Sequence, residues 1–509
     1  MSSENRGPMK QFPGMSGRWA RVLLVLILSF ASMFRGASAD ESSSALADMV
    51  ANVHFHTLDN GLRVILYNRG TAPVFAGAVV VRVGGSDEVG GQTGISHLFE
   101  HMAFKGTRTV GTKNYAREKE LLEGLEAIAA TSNAAQELSD DQKRAWEETH
   151  AELRSIWISD DFTRRYEQVG AVGQNATTDK EFTKYFVNLP RSAFEFWCKM
   201  EADRLLNPVM RQFYQERDVV LEERRMRFED DPGGRLYELL LGVAYQRHPY
   251  RAPVIGYEQD LKSLTATQLE TFRKRYYVPR NMVVSIVGRV DPEADMKVIR
   301  RYFGALPAAP EFDRNVLKES PQEGERKVSV KMTASPQIVI AYRKPNYPDP
   351  DDAPISVMAE ILSGGRISPL YAELVKRRQL TADISHEEGP GVAYPNLLMF
   401  DATVKSPHTT EEVLEAFDAV IARFRRTGPT AEQLEIAKRS IGMDYLRHLQ
   451  SNQSLALDFA SSELVYGSWK ASVKWYDEVM KVTLDDVRRA AEKYLAPESR
   501  TIGTVERAS

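Results

Sequence analysis

From about residue 53 the hydrophobic pattern turns to that of strands, short apolar and β-branched runs set off by turn signals. Residues 61–67 follow an Asp59-Asn60 turn signal, and 73–83 form a second apolar, β-branched run. Residues 84–91 are glycine-rich, with neither the Lys-Ser/Thr ending nor the G-x-G-x-x-G spacing of a phosphate loop. The period then lengthens, and a helix is predicted to begin near Gly94. In the charged tract 114–170, Leu121, Leu125 and Ile128 recur at helical spacing, as do Trp146, Leu153 and Trp157. With a turn at Thr131-Ser132-Asn133, this tract predicts a helical hairpin, projecting or packed on a neighbour. A solvated insertion without catalytic duty is the favoured reading.

Residues 182–187 alternate like a strand, and a long helix follows from near Ser192 until Asn207-Pro208 breaks it. A second, acidic-basic helix covers 216–225, and Asp230-Asp231-Pro232-Gly233-Gly234 interrupts it. The pattern then repeats. Thr265 opens a helix with a capping-box spacing to Gln268; the helix ends near Tyr276, Pro279 follows, and 282–288 read as a strand. Thr483, Tyr494, Pro497 and 501–505 stand at the same intervals near the C-terminus. The same helix–proline–strand unit closes both halves, which predicts two related domains of about 230 residues. A proline- and charge-rich linker, 307–330, separates them. The second half opens on a strand at 337–342 and a helix at 354–362.

Composition adds little. Hydrophobic content of 43% and charged content of 27% are those of a soluble globular protein. The formal charge is −4, and without residues 1–39, which carry five basic groups and one acid, it is −8, which argues against a general nucleic-acid binder. The N-terminus carries a sharper signal. Arg18 and Arg21 precede an apolar run at 22–34, and Ala37-Ser38-Ala39 has the form that signal peptidase reads. Residues 1–39 are therefore expected to be a signal peptide, with an uncleaved membrane anchor as the alternative. The single cysteine, Cys198, permits no intrachain disulfide and reads as a packed thiol. An exported chain without disulfides fits the periplasm of a Gram-negative bacterium.

The chemistry concentrates in His97-Leu98-Phe99-Glu100-His101. Two histidines four apart share a helix face and can grip one zinc ion while leaving sites for water and substrate. Glu100, three residues after His97, lies on the same side and can take a proton from the metal-bound water. This is the H-x-x-E-H order. The bland alternative is a core helix that happens to carry two histidines. A catalytic zinc needs a third ligand, and the candidates lie in 216–223. Glu216 and Glu223 share a face two turns apart, whereas Glu222 is turned about 100° from Glu223. By itself this segment reads better as a salt-bridged surface helix. His386, His408 and His448 are scattered, and surface or packing roles suit them.

These motifs together resemble peptidase family M16, the pitrilysin/insulysin clan, and most closely its short-chain members near the mitochondrial processing peptidase β-subunit. The resemblance rests on the stretch from His97 to Gly106, on Asn175-Ala176-Thr177-Thr178, and on the segment from Glu216 to Glu223. His248-Pro249-Tyr250, the segment 277–288 and Leu362-Ser363-Gly364-Gly365 also match, and the similarity runs from about residue 53 to the C-terminus. It implies an α+β fold of two homologous domains, each a mainly antiparallel sheet packed with helices, forming half of a clamshell. The zinc-bearing domain would be 40–306, with the insertion at 114–170, and the metal-free one 331–509. It makes His97, His101 and Glu223 the ligands of one zinc ion, Glu100 the general base and Glu216 a supporting acid. Asn175 and Ala176 would lie on an edge strand that pairs with the substrate backbone.

Two departures stand out. The 122 residues from His101 to Glu223 exceed the family's usual spacing, and the insertion accounts for the excess. Active relatives also use an Arg and a Tyr, seven apart, to hold the scissile carbonyl; Val375 and Ala382 stand in those places. The expected function is a zinc endopeptidase cutting unfolded peptides in an enclosed chamber, with the zinc-bound water as nucleophile. The expected partner is a second, zinc-free homologue supplying the Arg/Tyr pair. The competing readings are a non-catalytic scaffold and a peptide-binding subunit.

Overall fold

Strands β1 (Val53–Thr57), β2 (Arg63–Asn68), β3 (Val74–Val81), β4 (Val172–Thr178), β5 (Thr183–Pro190) and β6 (Met282–Gly288) form one sheet in the order β1-β2-β6-β3-β5-β4. A second sheet holds β7 (Arg326–Met332), β8 (Gln337–Lys344), β9 (Ser385–Gly389), β10 (Asn396–Thr403) and β11 (Arg500–Arg507) in the order β7-β11-β8-β10-β9. The computed structural model describes residues 49–131, 138–310, 312–314 and 316–508. The signal segment, and Ser132-Asn133 of the hairpin turn, lie outside these. The chain divides into Met1–Val53 and His54–Ser509, and both sheets belong to the second unit from His54 onward.

The two sheets repeat one topology. In each, one pair is parallel, β2 with β6 and β7 with β11. Three further pairs match in turn, β3–β6 with β8–β11, β3–β5 with β8–β10, and β4–β5 with β9–β10, all antiparallel, while β1 is an added edge strand of the first sheet without a counterpart in the second. The fold is thus α+β with two mainly antiparallel sheets. The second sheet starts at Arg326, inside the span read as linker, because 326–332 already alternates between half-buried and exposed positions.

Helices α1 (Ile95–Met102), α2 (Tyr115–Ala129), α3 (Asp140–Ile156), α4 (Asp161–Gln168) and α5 (Phe194–Leu206) belong to the first half. So do α6 (Phe213–Arg224), α7 (Pro232–Ala244), α8 (Glu258–Ser263), α9 (Ala266–Tyr276) and α10 (Pro292–Phe303). The second half has α11 (Asp352–Ser363), α12 (Thr410–Thr427), α13 (Ala431–Gln450), α14 (Asn452–Tyr466), α15 (Ala471–Lys481) and α16 (Leu484–Tyr494). The repeated unit of the sequence is α9–β6 and α16–β11. Thr265 and Thr483 each close a capping box, with Gln268 and Asp486.

One face of the first sheet buries Val64, Leu66, Phe75, Val79, Val284 and Ile286 with residues of α1, α5, α9 and α10. The alternate residues Ile65, Ala76, Ala78, Val80, Val283 and Val287 are just as buried. That is why β3 and β6 read as continuous apolar runs. Their cover on this face is α14, from the other half of the chain. The exchange is mutual. The second sheet packs one face on α11, α12 and α16, and α7 of the first half lies across β7 and β11. A third apolar cluster joins Leu240, Leu241, Ala244 and Tyr245 to Ala341, Leu397 and Met399.

The 114–170 tract is a helical hairpin of α2 and α3, and it packs rather than projects. Glu118, on α2, is fully buried against Arg211, which precedes α6, at 2.5 and 2.8 Å. Arg211 also donates to the carbonyls of Lys105, Thr107 and Val110. Glu126 accepts from Tyr214 and from Thr267, and Trp146 packs edge-on against Tyr214.

Candidate metal centre

The centre is built on α1. Gly94 starts this helix in the left-handed region (φ 86°), and a Cβ there would sit 2.4 Å from the Ile255 carbonyl oxygen. Glu88 accepts from the backbone N–H of Gly94 at 2.8 Å and of Ser96 at 2.9 Å, placing a carboxyl group at the helix's positive end. Ile95, Leu98, Phe99 and Met102 anchor the helix in the first core. His97 and His101 fall on the other side, with ring centroids 4.7 Å apart.

Helix α6 lies alongside α1 and brings two acids to it. Glu223 Oε2 is 3.8 Å from His97 Nε2 and 3.6 Å from His101 Nε2. Glu216 Oε1 is 3.0 Å from His101 Nδ1, and its other oxygen is 2.6 Å from Lys105 Nζ. Glu222 turns away and pairs with Arg225. Two helical turns therefore separate the carboxylate that faces both imidazoles from the one that steadies a ring from behind.

His97, His101 and Glu223 each offer one ligand atom, and these lie within 4.8 Å of one another. A tetrahedral zinc ion with bonds of ~2.0–2.1 Å needs its donors roughly 3.4 Å apart, so the set fits zinc in chemistry and span. Burial pushes the His97 imidazolium down to about 3, so the ring is neutral and keeps a lone pair. Its Nδ1 is buried without a hydrogen-bond partner. At His101 burial works downward, but the hydrogen bond and charge of Glu216 win and raise the ring. Glu216 goes the other way: burial opposes ionisation, and His101 with Lys105 hold its carboxyl below the ordinary value.

Glu100 is buried beside the cluster, and burial raises its carboxyl. Thr178 donates to Glu100 Oε2 at 2.6 Å. Thr178 ends β4, the edge strand of the first sheet, on which Asn175 is exposed and Ala176 buried. Asn175 Oδ1 accepts from the Ala176 N–H at 2.9 Å. Beyond α6 the chain makes a π-helical turn, Arg225–Glu229, and Arg227 Nη1 lies 3.1 Å from Glu223 Oε1. The positions where an Arg/Tyr pair was expected hold no donor side chain: Val375 packs on the second core, and Ala382 bonds through its backbone to Thr403.

Sequence reasoning assigned no role to Glu88, Lys105, Thr178 or Arg227. Lys105 and Arg227 stand four residues after His101 and Glu223, a helical spacing that could have drawn attention to them. Glu88 and Thr178 reach the site only through the fold.

Two family models match the chain in succession: "Insulinase (Peptidase family M16)" over residues 63–140 and "Peptidase M16 inactive domain" over 263–441. The first includes His97, Glu100 and His101 but stops short of Glu223. The chain is 24% identical to the zinc protease PqqE of Helicobacter pylori over 86% of its own length and 89% of that protein. It is 26% identical to an uncharacterized zinc protease of Mycobacterium leprae, over 90% and 92%. The crystal structure of a protease from Helicobacter pylori superposes with a TM-score of 0.76 at 23% identity, covering 89% of this chain and 99% of that one. The relatives are named zinc proteases, and the fold is that of the two-domain peptidases. The chain belongs to peptidase family M16, the insulinase family.

Proposed function

We propose that this protein is a zinc-dependent endopeptidase that cuts extended, unfolded polypeptide segments. The observation that carries the reading is the convergence of His97, His101 and Glu223 with Glu100 buried alongside. These three side chains would hold the ion, which when bound supplies Lewis-acid activation of water and of the scissile carbonyl. Glu100 accepts a proton from the attacking water and returns it to the leaving nitrogen. Thr178 holds the carboxylate of Glu100 in place, and Glu216 fixes the tautomer and orientation of His101. The open edge of β4 offers backbone groups to an extended segment, which would take over the Ala176 N–H from Asn175. The names of the zinc-protease relatives support the reaction class. The export pattern at residues 18–39 supports action outside the cytoplasm.

The test is cleavage of an unfolded peptide by the purified, zinc-loaded chain, alone and with a co-expressed homologue, with Glu100→Gln as control. Cleavage abolished by Glu100→Gln is the expected result. Absence of cleavage in both forms, with zinc bound, would replace the peptidase by a peptide-binding subunit.

A further inference from the structure

Peptide hydrolysis makes a demand that these residues leave unmet. As water adds, the carbonyl oxygen becomes anionic, and donors must be aimed at it. Val375 and Ala382 supply none. We infer that Arg227 is a catalytic residue of this chain, its guanidinium donating hydrogen bonds to the substrate carbonyl oxygen as that oxygen becomes anionic. The inference rests on the peptidase reading.

Three arginines follow Glu223: Arg224, Arg225 and Arg227. Two are consumed by the fold. Arg224 is buried on Glu238 and the Gly256 carbonyl, and Arg225 pairs with Glu222 and Asp230. Arg227 alone of the three reaches the centre. Its contact is Glu223 Oε1, whereas Oε2 of the same carboxylate faces the histidines. Its charge is felt at both His97 and Glu100. The side chain is 69% exposed, and its pairing with Glu223 engages one nitrogen of a guanidinium that carries five N–H donors.

The backbone beneath it is held firmly. Asp231 caps α7 by accepting from the Gly234 N–H at 2.7 Å, and Gly234 abuts the Arg227 carbonyl so closely that a Cβ would lie 1.8 Å from it. The π turn thus presents an exposed cation from a braced backbone, and π turns are frequent at functional sites. In the reaction, the water oxygen bonds to the carbonyl carbon and the C–O π pair moves onto the carbonyl oxygen, which accepts hydrogen bonds from the Arg227 N–H groups. The water proton passes to Glu100. The pair then returns, the C–N bond breaks, and Glu100 gives its proton to the nitrogen. Arg227 donates hydrogen bonds throughout and meets part of the need for which a partner chain was expected.

The test compares wild type, Arg227→Met and Arg227→Lys, zinc-loaded, in whichever form cleaves, alone or with the homologue. Three quantities are read: kcat and KM on an unfolded peptide, zinc content, and affinity for a phosphinic peptide, whose tetrahedral anion mimics the charged intermediate. Arg227→Met is expected to lower kcat roughly 10²–10³-fold. KM should stay within about threefold, zinc content should hold, and phosphinic-peptide affinity should fall in step with kcat. Arg227→Lys should restore part of the loss, as a point charge without the planar fork. Unchanged kcat overturns the inference. So does a loss matched by lost zinc, which would make Arg227 only a prop for Glu223. If wild type binds zinc but cleaves nothing, the peptidase reading fails separately, and the phosphinic peptide still decides. Equal affinity in wild type and Arg227→Met removes the anion-donor role; weaker affinity in the variant keeps it.

Discussion

Glu216 acts on the centre through His101. Its carboxylate holds Nδ1 at 3.0 Å, which leaves Nε2 for a metal, and its other oxygen pairs with Lys105. Outer-shell partners of this kind typically contribute 10–100-fold to metal affinity. Glu216→Ala is therefore expected to weaken zinc binding by about that factor while the metal-free protein melts at nearly the same temperature, as read by chelator competition and calorimetry. Unchanged affinity would reduce Glu216 to a surface ion pair. At this scale the sequence was most legible where one helix holds both partners. Spacing of four set His97 beside His101, and spacing of seven put Glu216 and Glu223 on one face. It left open which acid faces the two rings, because that depends on how α6 sits against α1. Arg227 was missed for a related reason: its interest lies in the neighbouring arginines being occupied, and burial of Arg224 on Glu238 is a property of the fold.

Between α1 and α6 lies the longest stretch that the family spacing does not require, and its packing gives it a use. The hairpin braces both helices of the centre, since the Glu118–Arg211 pair also ties the loop that leaves α1 to the residue that precedes α6. Removing one member of a buried pair strands the other's charge, at a cost of about 3–5 kcal/mol. Arg211→Met is thus expected to lower the urea midpoint markedly. Loss of the exposed Arg117–Glu152 pair on the same hairpin should leave it where it is. Equal effects of the two changes would mean that the hairpin only decorates the surface. Helical periodicity revealed the hairpin; its docking was hidden because Glu118 and Glu126 read as two more charges on a solvated face.

The two halves of the molecule are interleaved. Each sheet borrows a covering helix from the other half, α14 over the first and α7 over the second. The internal repeat was visible in the sequence as matched threonine, tyrosine and proline positions. The exchange was not, because α7 and α14 carry apolar residues that name no partner. Where the halves meet, Glu181 accepts from Tyr250 and from the Val392 N–H. Burial pushes its carboxyl up to about 7 from the usual 4.5. A raised carboxyl favours the folded state while both states are protonated, and that contribution fades as pH rises from 4.5 through 7. Wild type should therefore lose stability relative to Glu181→Gln over this range. Urea midpoints at pH 5 and pH 7.5 would measure it, and parallel profiles would count against a buried, reluctant acid at the seam. The borrowed helices carry one more implication. Bending the chain at its linker would strip α14 from β3 and β6, and α7 from β7 and β11, exposing both sheets to water at once. Among the described residues the linker therefore offers no elbow: the two halves are tied into one block by the helices they exchange.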